Sequence, residues 1–175
     1  VRDYKEFYRE AKGDLPRIYC DMDGVLCDFI VQAKKATGVI FTQDKAKEHW
    51  DVIKKYPKFW SNMPWMPGGK QLWNYINKYK PHILSAYTIE DPNCIPGKNT
   101  WLRRNVSISS GNINLVRRRD KQKFAMKSSG TRRPAILIDD FKNNINEFRA
   151  AGGIGIHHTS TSKTISELKK LGFDK

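Results

Sequence analysis

Two aspartates stand two residues apart at the end of an apolar run, in Ile18-Tyr19-Cys20-Asp21-Met22-Asp23-Gly24-Val25-Leu26. Strand alternation carried through them puts both side chains on one face. Carboxylates that close repel unless a cation neutralises them or one of them keeps a proton. Either arrangement serves phosphoryl chemistry. An ionised carboxylate can attack phosphorus and form an aspartyl-phosphate, while a protonated neighbour donates to the leaving oxygen and then activates water. Gly24 lets the chain turn sharply away. The plain alternative is an Asp-Gly hairpin turn between hydrophobic runs. An EF-hand loop is excluded, because no acid follows at the required positions.

A second apolar run, Ala135-Ile136-Leu137-Ile138, also ends in paired acids, Asp139 and Asp140. In open α/β sheets ligands bind at the carboxyl ends of strands. If the two strands are neighbours, Asp21, Asp23 and Asp139 converge into an oxygen-rich site of the kind that selects Mg²⁺, with Asp140 orienting a ligand or the loop. Alone, Asp-Asp after a strand reads as a helix cap; the coincidence of both motifs favours the metal site. His82-Ile83-Leu84-Ser85-Ala86 is a third short run, ending in a hydroxyl that could bond a phosphate oxygen, although serine is also an ordinary turn former. Before the Asp139 strand, Lys121, Lys123 and Lys127 compete to supply an ammonium that would neutralise both the phosphate and the attacking carboxylate.

These residues require a sheet to position them. Apolar runs bounded by turn residues alternate with helical periodicity, which predicts an α/β fold: a Rossmann-like core with a mostly parallel sheet flanked by helices. Strands are expected at 17–20, 82–84, 113–116, 135–138 and 153–156, and helices at 28–37, 71–79, 96–104, 121–127, 142–151 and 162–171. Pro96 suits a first helical position, and Gly152 and Gly172 suit helix C-termini. A peripheral helix is expected before Leu15. Residues 38–67 break the alternation with Trp50, Trp60 and Trp65, several lysines and no persuasive strand. They read as a small helical cap inserted after the first strand, within a single domain whose core spans about 15–37 and 68–175. The clustered aromatics form either a pocket wall or a satellite core beneath the insertion.

The 175 residues suffice for one domain with a genuine core, and no apolar stretch is long enough to span a membrane. No export signal is apparent at the start, so the expected compartment is the cytoplasm. Cys20, Cys27 and Cys94 form no CxxC pair, which argues against a zinc site or a disulfide framework. The formal net charge is +14. Half of it lies in residues 117–133, where Asp120 is the lone acid. Such a surplus favours phosphorylated or polyanionic partners, nucleic acid among them, the plain alternative being a solvated basic surface kept for solubility. His157 and His158 are adjacent, so their rings diverge and a shared metal is not expected.

Asp21-Met22-Asp23-Gly24-Val25, Ser85, a following lysine and Asp139-Asp140 resemble, in order and strand placement, the four motifs of the haloacid dehalogenase-like (HAD) phosphatases. Within that superfamily Asp23-Gly24-Val25-Leu26-Cys27-Asp28-Phe29, Met66-Pro67-Gly68-Gly69, Gly97-Lys98-Asn99-Thr100-Trp101-Leu102 and Arg119-Asp120-Lys121 look like the 5′(3′)-deoxyribonucleotidases. The likeness covers roughly residues 17–155. It implies Mg²⁺-dependent hydrolysis of a phosphomonoester such as a nucleotide, with Asp21 as nucleophile and Asp23 as general acid and base. Mg²⁺ would be held by Asp21, the main-chain carbonyl of Asp23 and Asp139, beside Asp140. Ser85 and Lys121 would bind phosphate, Lys121 being preferred for its Arg-Asp-Lys context. Phe29 would face the nucleobase, and Lys98 would touch the phosphate unless it is simply an exposed lysine.

Three features depart from that pattern. Ala86 stands where these nucleotidases offer a second hydroxyl, Lys121 precedes Asp139 by eighteen residues, and the basic run exceeds what a free mononucleotide requires. The run leaves open a phosphatase of 3′ or 5′ nucleic-acid ends, or a nucleic-acid-binding protein on a phosphatase-like scaffold. The crowded carboxylates speak against the last, since a binding module has no need of them.

Overall fold

The computed structural model describes residues 15–128 and 133–175. The helix expected before Leu15 and positions 129–132 of the basic run lie outside the described residues. Five strands, β1 (Ile18–Cys20), β2 (His82–Ala86), β3 (Ile113–Val116), β4 (Ile136–Asp139) and β5 (Ile154–His157), form one sheet in the order β3-β2-β1-β4-β5. Every pairing is parallel, with Tyr19 beside Leu137 and Cys20 beside Ile83. Parallel strands need crossovers, and helices supply most of them. Between β1 and β2 run α1 (Phe29–Thr37), α2 (Ala46–Ile53) and α3 (Gly69–Asn77); α4 (Cys94–Asn105) leads to β3, α5 (Lys142–Ala150) joins β4 to β5, and α6 (Thr161–Lys170) closes the chain. None of the described helices is long and apolar enough to cross a membrane.

The period of two along the strands divides the core. Ile18, Cys20, Ile83, Ile136 and Ile138 join the larger cluster with Leu72, Ile76, Trp101 and Leu168. Tyr19, Leu84 and Leu137 point to the other face and pack with Ala125, Ile145 and Phe148. Because strands buried on both faces carry no polar alternation, they read as apolar runs. The elements end where local chemistry says they should. Asp28 caps α1 by accepting from Val31 N, Gly38 at φ 76° closes it, and Ser160 caps α6 by accepting from Lys163 N.

Two expected helices differ. Pro96 is the third residue of α4, not the first, which is equally harmless because first-turn N–H groups have no helical partner. Residues 121–127 do not form an α-helix: a 3₁₀ helix runs Arg118–Phe124, leaving Lys127 outside it with its ammonium over the Phe124 ring. The stretch 38–67 contains α2 and otherwise turns. Its aromatics form no separate satellite core, since Phe59 and Trp60 are buried in the larger cluster and Phe41, Trp50 and Trp65 pack against it. The three cysteines are buried and free.

Candidate active site

The carboxyl ends of β1, β2 and β4 bring the two acidic motifs and the serine together, and each acid of the first motif meets its own buried lysine. Lys121, 2% exposed, lies between Asp21 and Asp139, with Nζ 3.0 Å from Asp21 Oδ1 and 2.7 Å from Asp139 Oδ2. The 3₁₀ helix that carries it packs on β2 and α5, so the ammonium arrives from the face of the smaller cluster. Met22 N donates to Asp21 Oδ1 (2.8 Å), leaving Oδ2 free of both partners. Asp139 is fixed by Phe141 N on Oδ1 (2.8 Å) and Asn144 Nδ2 on Oδ2 (3.0 Å). Lys123 and Lys127 take no part: Lys123 pairs with Asp120 at the surface. The geometry therefore separates three lysines that sequence alone left in competition.

Asp23 belongs to a second group. β1 stops at Cys20, and Val25 N and Leu26 N both donate to Met22 O, so the chain has already turned and strand alternation does not carry to Asp23. Contrary to the expectation of a shared face, its side chain is absent from the group Asp21, Asp139 and Asp140, whose carboxylate oxygens lie within 4.8 Å of one another. It pairs instead with Lys98, whose Nζ donates to Asp23 Oδ2 (2.7 Å), Ser85 Oγ (3.0 Å) and Ala86 O (2.6 Å). Lys98 is not an exposed lysine: it is completely buried, and its three donors are all used. Ser85 accepts from Lys98, and its own proton has no acceptor among the described residues. Ala86 takes part through its carbonyl, which needs no hydroxyl.

Lys98 reaches this position because α4 packs its Trp101 and Leu102 into the larger cluster, on the face opposite Lys121. The Trp60 ring lies 5.3 Å from the Lys98 ammonium, a cation–π contact. Its Nε1 donates to Asp91 Oδ2 (2.7 Å), and Asp91 Oδ1 accepts from Asn93 N (2.9 Å) ahead of α4. Phe29 packs at 5.7 Å from Trp60, 5.6 Å from Phe59 and 5.3 Å from Phe41. Nothing in the sequence marks Asn144 or Asp91, and Trp60 stands out only as one of the clustered aromatics of the insertion. Trp60 and Asp91 meet each other across 31 residues, and Asn144 reaches Asp139 from the first turn of α5.

Crowding sets the electrostatics. Burial, then the Asp21 charge, pushes the Asp139 carboxyl up to about 6 despite Lys121. Partial desolvation, then the Asp21 and Asp139 charges, raises Asp140 to about 7. Burial also raises Asp23, against the opposing charge of Lys98. Burial pulls the Lys121 ammonium down, but Asp21 and Asp139 more than offset it and hold it above the ordinary range. Three carboxylates thus face one ammonium, an excess of negative charge that a divalent cation would neutralise with hard oxygen ligands. Asp23 Oδ1 is buried without a partner and offers a further acceptor nearby in the chain. His157 and His158 diverge as expected: His157 Nε2 meets Asp140 O (2.9 Å), whereas buried His158 pairs with Thr164.

No protein-family model matches this chain, and no curated protein does. Solved structures do. A hydrolase from Streptococcus pneumoniae TIGR4 superposes with a TM-score of 0.54 at 12% identity, covering 90% of this chain and 100% of its own. A haloacid dehalogenase-like family hydrolase from Streptococcus pneumoniae gives 0.50 at 14% identity, with 92% and 99% covered. The likeness is one of fold: the chain has the parallel α/β, Rossmann-like architecture of the haloacid dehalogenase-like hydrolases.

Proposed function

We propose that this chain is a Mg²⁺-dependent phosphomonoesterase working through an aspartyl-phosphate on Asp21, and that its substrates are (deoxy)nucleoside monophosphates, as in the 5′(3′)-nucleotidases it resembles. The observation that carries the reading is Lys121, buried between Asp21 and Asp139 with Asp140 beside them. A purely structural ion pair needs one carboxylate, not three.

The chain's own groups divide the work. Asp21 Oδ1 is held by Met22 N and Lys121, so Oδ2 is the attacking atom. It forms the P–O bond as the ester P–O bond breaks, and Asp23, raised by burial, gives its proton to the departing alkoxide. Asp23, now ionised, then takes a proton from water, which attacks phosphorus and releases Asp21 and inorganic phosphate. Ser85 donates its free proton to a phosphoryl oxygen, and Lys121 offsets the charge of nucleophile and phosphate together. The residues that would hold Mg²⁺ are Asp21, Asp139, Asp140 and the Asp23 main-chain carbonyl; when bound, it neutralises charge on the transferring phosphoryl group. Phe29, half-buried against Trp60, supplies aromatic surface for a nucleobase near the buried Lys98.

The test is phosphate release from a panel of 5′- and 3′-mononucleotides with and without Mg²⁺, beside Asp21→Asn. Turnover that requires Mg²⁺ and falls on the order of 10³-fold or more in the variant is expected. Silence across the panel, or an Asp21→Asn protein as active as the parent, overturns the reading.

A further inference from the structure

A groove of about 460 Å³ opens beside this site, lined by Tyr87, Thr88, Glu90, Arg117, Arg118 and Arg119. That volume lies within the usual range for small-ligand sites. Both of its walls are direct continuations of site residues. Tyr87 follows Ser85 and Ala86, and its N–H donates to Val116 O (3.0 Å), which sets it against Arg117 just beyond the ends of β2 and β3. Arg117 to Arg119 in turn lead into Lys121 along the 3₁₀ helix.

The arginines are not equivalent. Arg118 is tied down by Glu147 (3.1 Å) and by Asn144 (3.1 Å), the same Asn144 that holds Asp139. Arg117 lies over the Tyr87 ring at 5.9 Å, and neither it nor Arg119 has an ion-pair partner among the described residues. Asp120, the acid nearest in the chain, is engaged by Lys123. Glu90 stands at the rim contributed by the Tyr87 segment. Two guanidiniums without an ion-pair partner among the described residues, Arg117 of them over an aromatic ring, match a phosphate and a stacked base.

We infer that this groove receives a second phosphate of the same substrate, one nucleotide or one sugar position away from the phosphate being hydrolysed. The preferred substrates are then doubly or multiply phosphorylated nucleotides, and a simple mononucleotide leaves the groove unused. This rests on the phosphatase reading and sharpens its substrate class. The second phosphate could come from a nucleoside 3′,5′-bisphosphate or from the phosphodiester next to a phosphorylated oligonucleotide end.

The experiment compares kcat/KM for a nucleoside monophosphate, the matching 3′,5′-bisphosphate, a terminally phosphorylated oligonucleotide and a small aryl phosphate, at low and physiological salt. The parent protein is run beside Arg117→Ala/Arg119→Ala, with thermal melts to confirm that both fold. A second phosphate should raise kcat/KM relative to the monophosphate by roughly tenfold or more at low salt, since charge-assisted phosphate contacts are strong. In the double variant that ratio should fall towards one and its salt dependence flatten, by a slope of about two if both contacts go. A gain for the bisphosphate and the oligonucleotide alike supports a phosphate-only pocket. A gain confined to the oligonucleotide supports phosphate plus stacking on Tyr87, which Tyr87→Leu then removes. Equal turnover with and without the second phosphate overturns the inference, as does a preference unchanged in the double variant. The aryl phosphate separates the two failures. If it is hydrolysed in an Asp21-dependent way while the second phosphate adds nothing, only the groove is wrong; if no phosphomonoester is hydrolysed, both readings fall.

Discussion

Asp140 occupies the space a side chain at position 24 would fill: a Cβ on Gly24 would stand 2.1 Å from Asp140 Oδ2. Gly24 also sits at φ 78°, in the left-handed region that L side chains rarely adopt. The glycine of the first acidic motif is therefore the seat of the last acid of the second. Gly24→Ala should cost about 1–2 kcal/mol from the backbone alone, and should weaken divalent-cation binding about 10–100-fold by displacing Asp140. Thermal stabilisation by titrated Mg²⁺, compared between the two proteins, measures both effects. Unchanged Mg²⁺ affinity would show that Asp140 plays no part in holding the ion.

Lys121 is the counter-charge for two carboxylates that are themselves almost fully buried. Lys121→Met keeps the volume and removes the charge, leaving both acids without their cation. Breaking such a buried pair costs about 3–5 kcal/mol. Denaturant melts of the metal-free variant should show that loss, and Mg²⁺ should recover part of it because the crowded acids still offer their oxygens. A neutral effect would mean that the acids simply take up protons in the folded state.

Lys98 is a positioning residue for Asp23, and its removal has a readout that lost packing would not produce. With Lys98→Met the opposing positive charge disappears, so the already raised Asp23 carboxyl should rise further. The second half-reaction needs Asp23 ionised, so the acidic limb of the kcat profile should move to higher pH, accompanied by a fall in kcat. Lys98→Arg, which keeps the charge, should shift the limb less. An unshifted limb in both variants would free Asp23 from control by Lys98.

Metal-free stability should depend on pH through Asp139 and Asp140, raised to about 6 and about 7. Their folded values exceed the ordinary carboxylate value of about 4. The folded state therefore keeps protons that the unfolded chain has released, and these groups make the protein less stable as pH rises from about 4 to about 7. His82, lowered to about 4 by burial and then by Arg17, acts in the opposite sense between about 4 and 6.5, and lies in β2 away from the acids. Mg²⁺ competes with protons only at the carboxylates. The increment in melting temperature caused by Mg²⁺ should accordingly grow from pH 5 and level off above about pH 7. An increment constant across that range would place the ion elsewhere.

The sequence by itself determined the scaffold and the motifs it presents. Five strands were legible because each is a short, mainly apolar run, the central β1, β2 and β4 being largely buried on both faces, and capping residues such as Asp28 and Ser160 mark helix ends through purely local bonds. The placing of Asp21, Ser85 and Asp139 followed from the rule that parallel sheets gather their ligands at strand carboxyl ends. Among three candidate lysines, Lys121 was preferred only through its Arg-Asp-Lys context.

What the tertiary structure decided was which charges meet. Lys98 and Asp23 are separated by 75 residues, and Lys98 is buried only because α4 packs against the sheet and beneath Trp60. From sequence it read equally as a surface lysine at the start of a helix. The parting of the two aspartates, Asp21 to Lys121 and Asp23 to Lys98, came from the chain turning at Met22, after β1 had ended. Asn144, Asp91 and the groove beside Tyr87 likewise arise from contacts between elements. Local propensity is set by each residue and its neighbours within about a turn; the ionisation and reach of a buried side chain are set by whatever the folded chain brings against it.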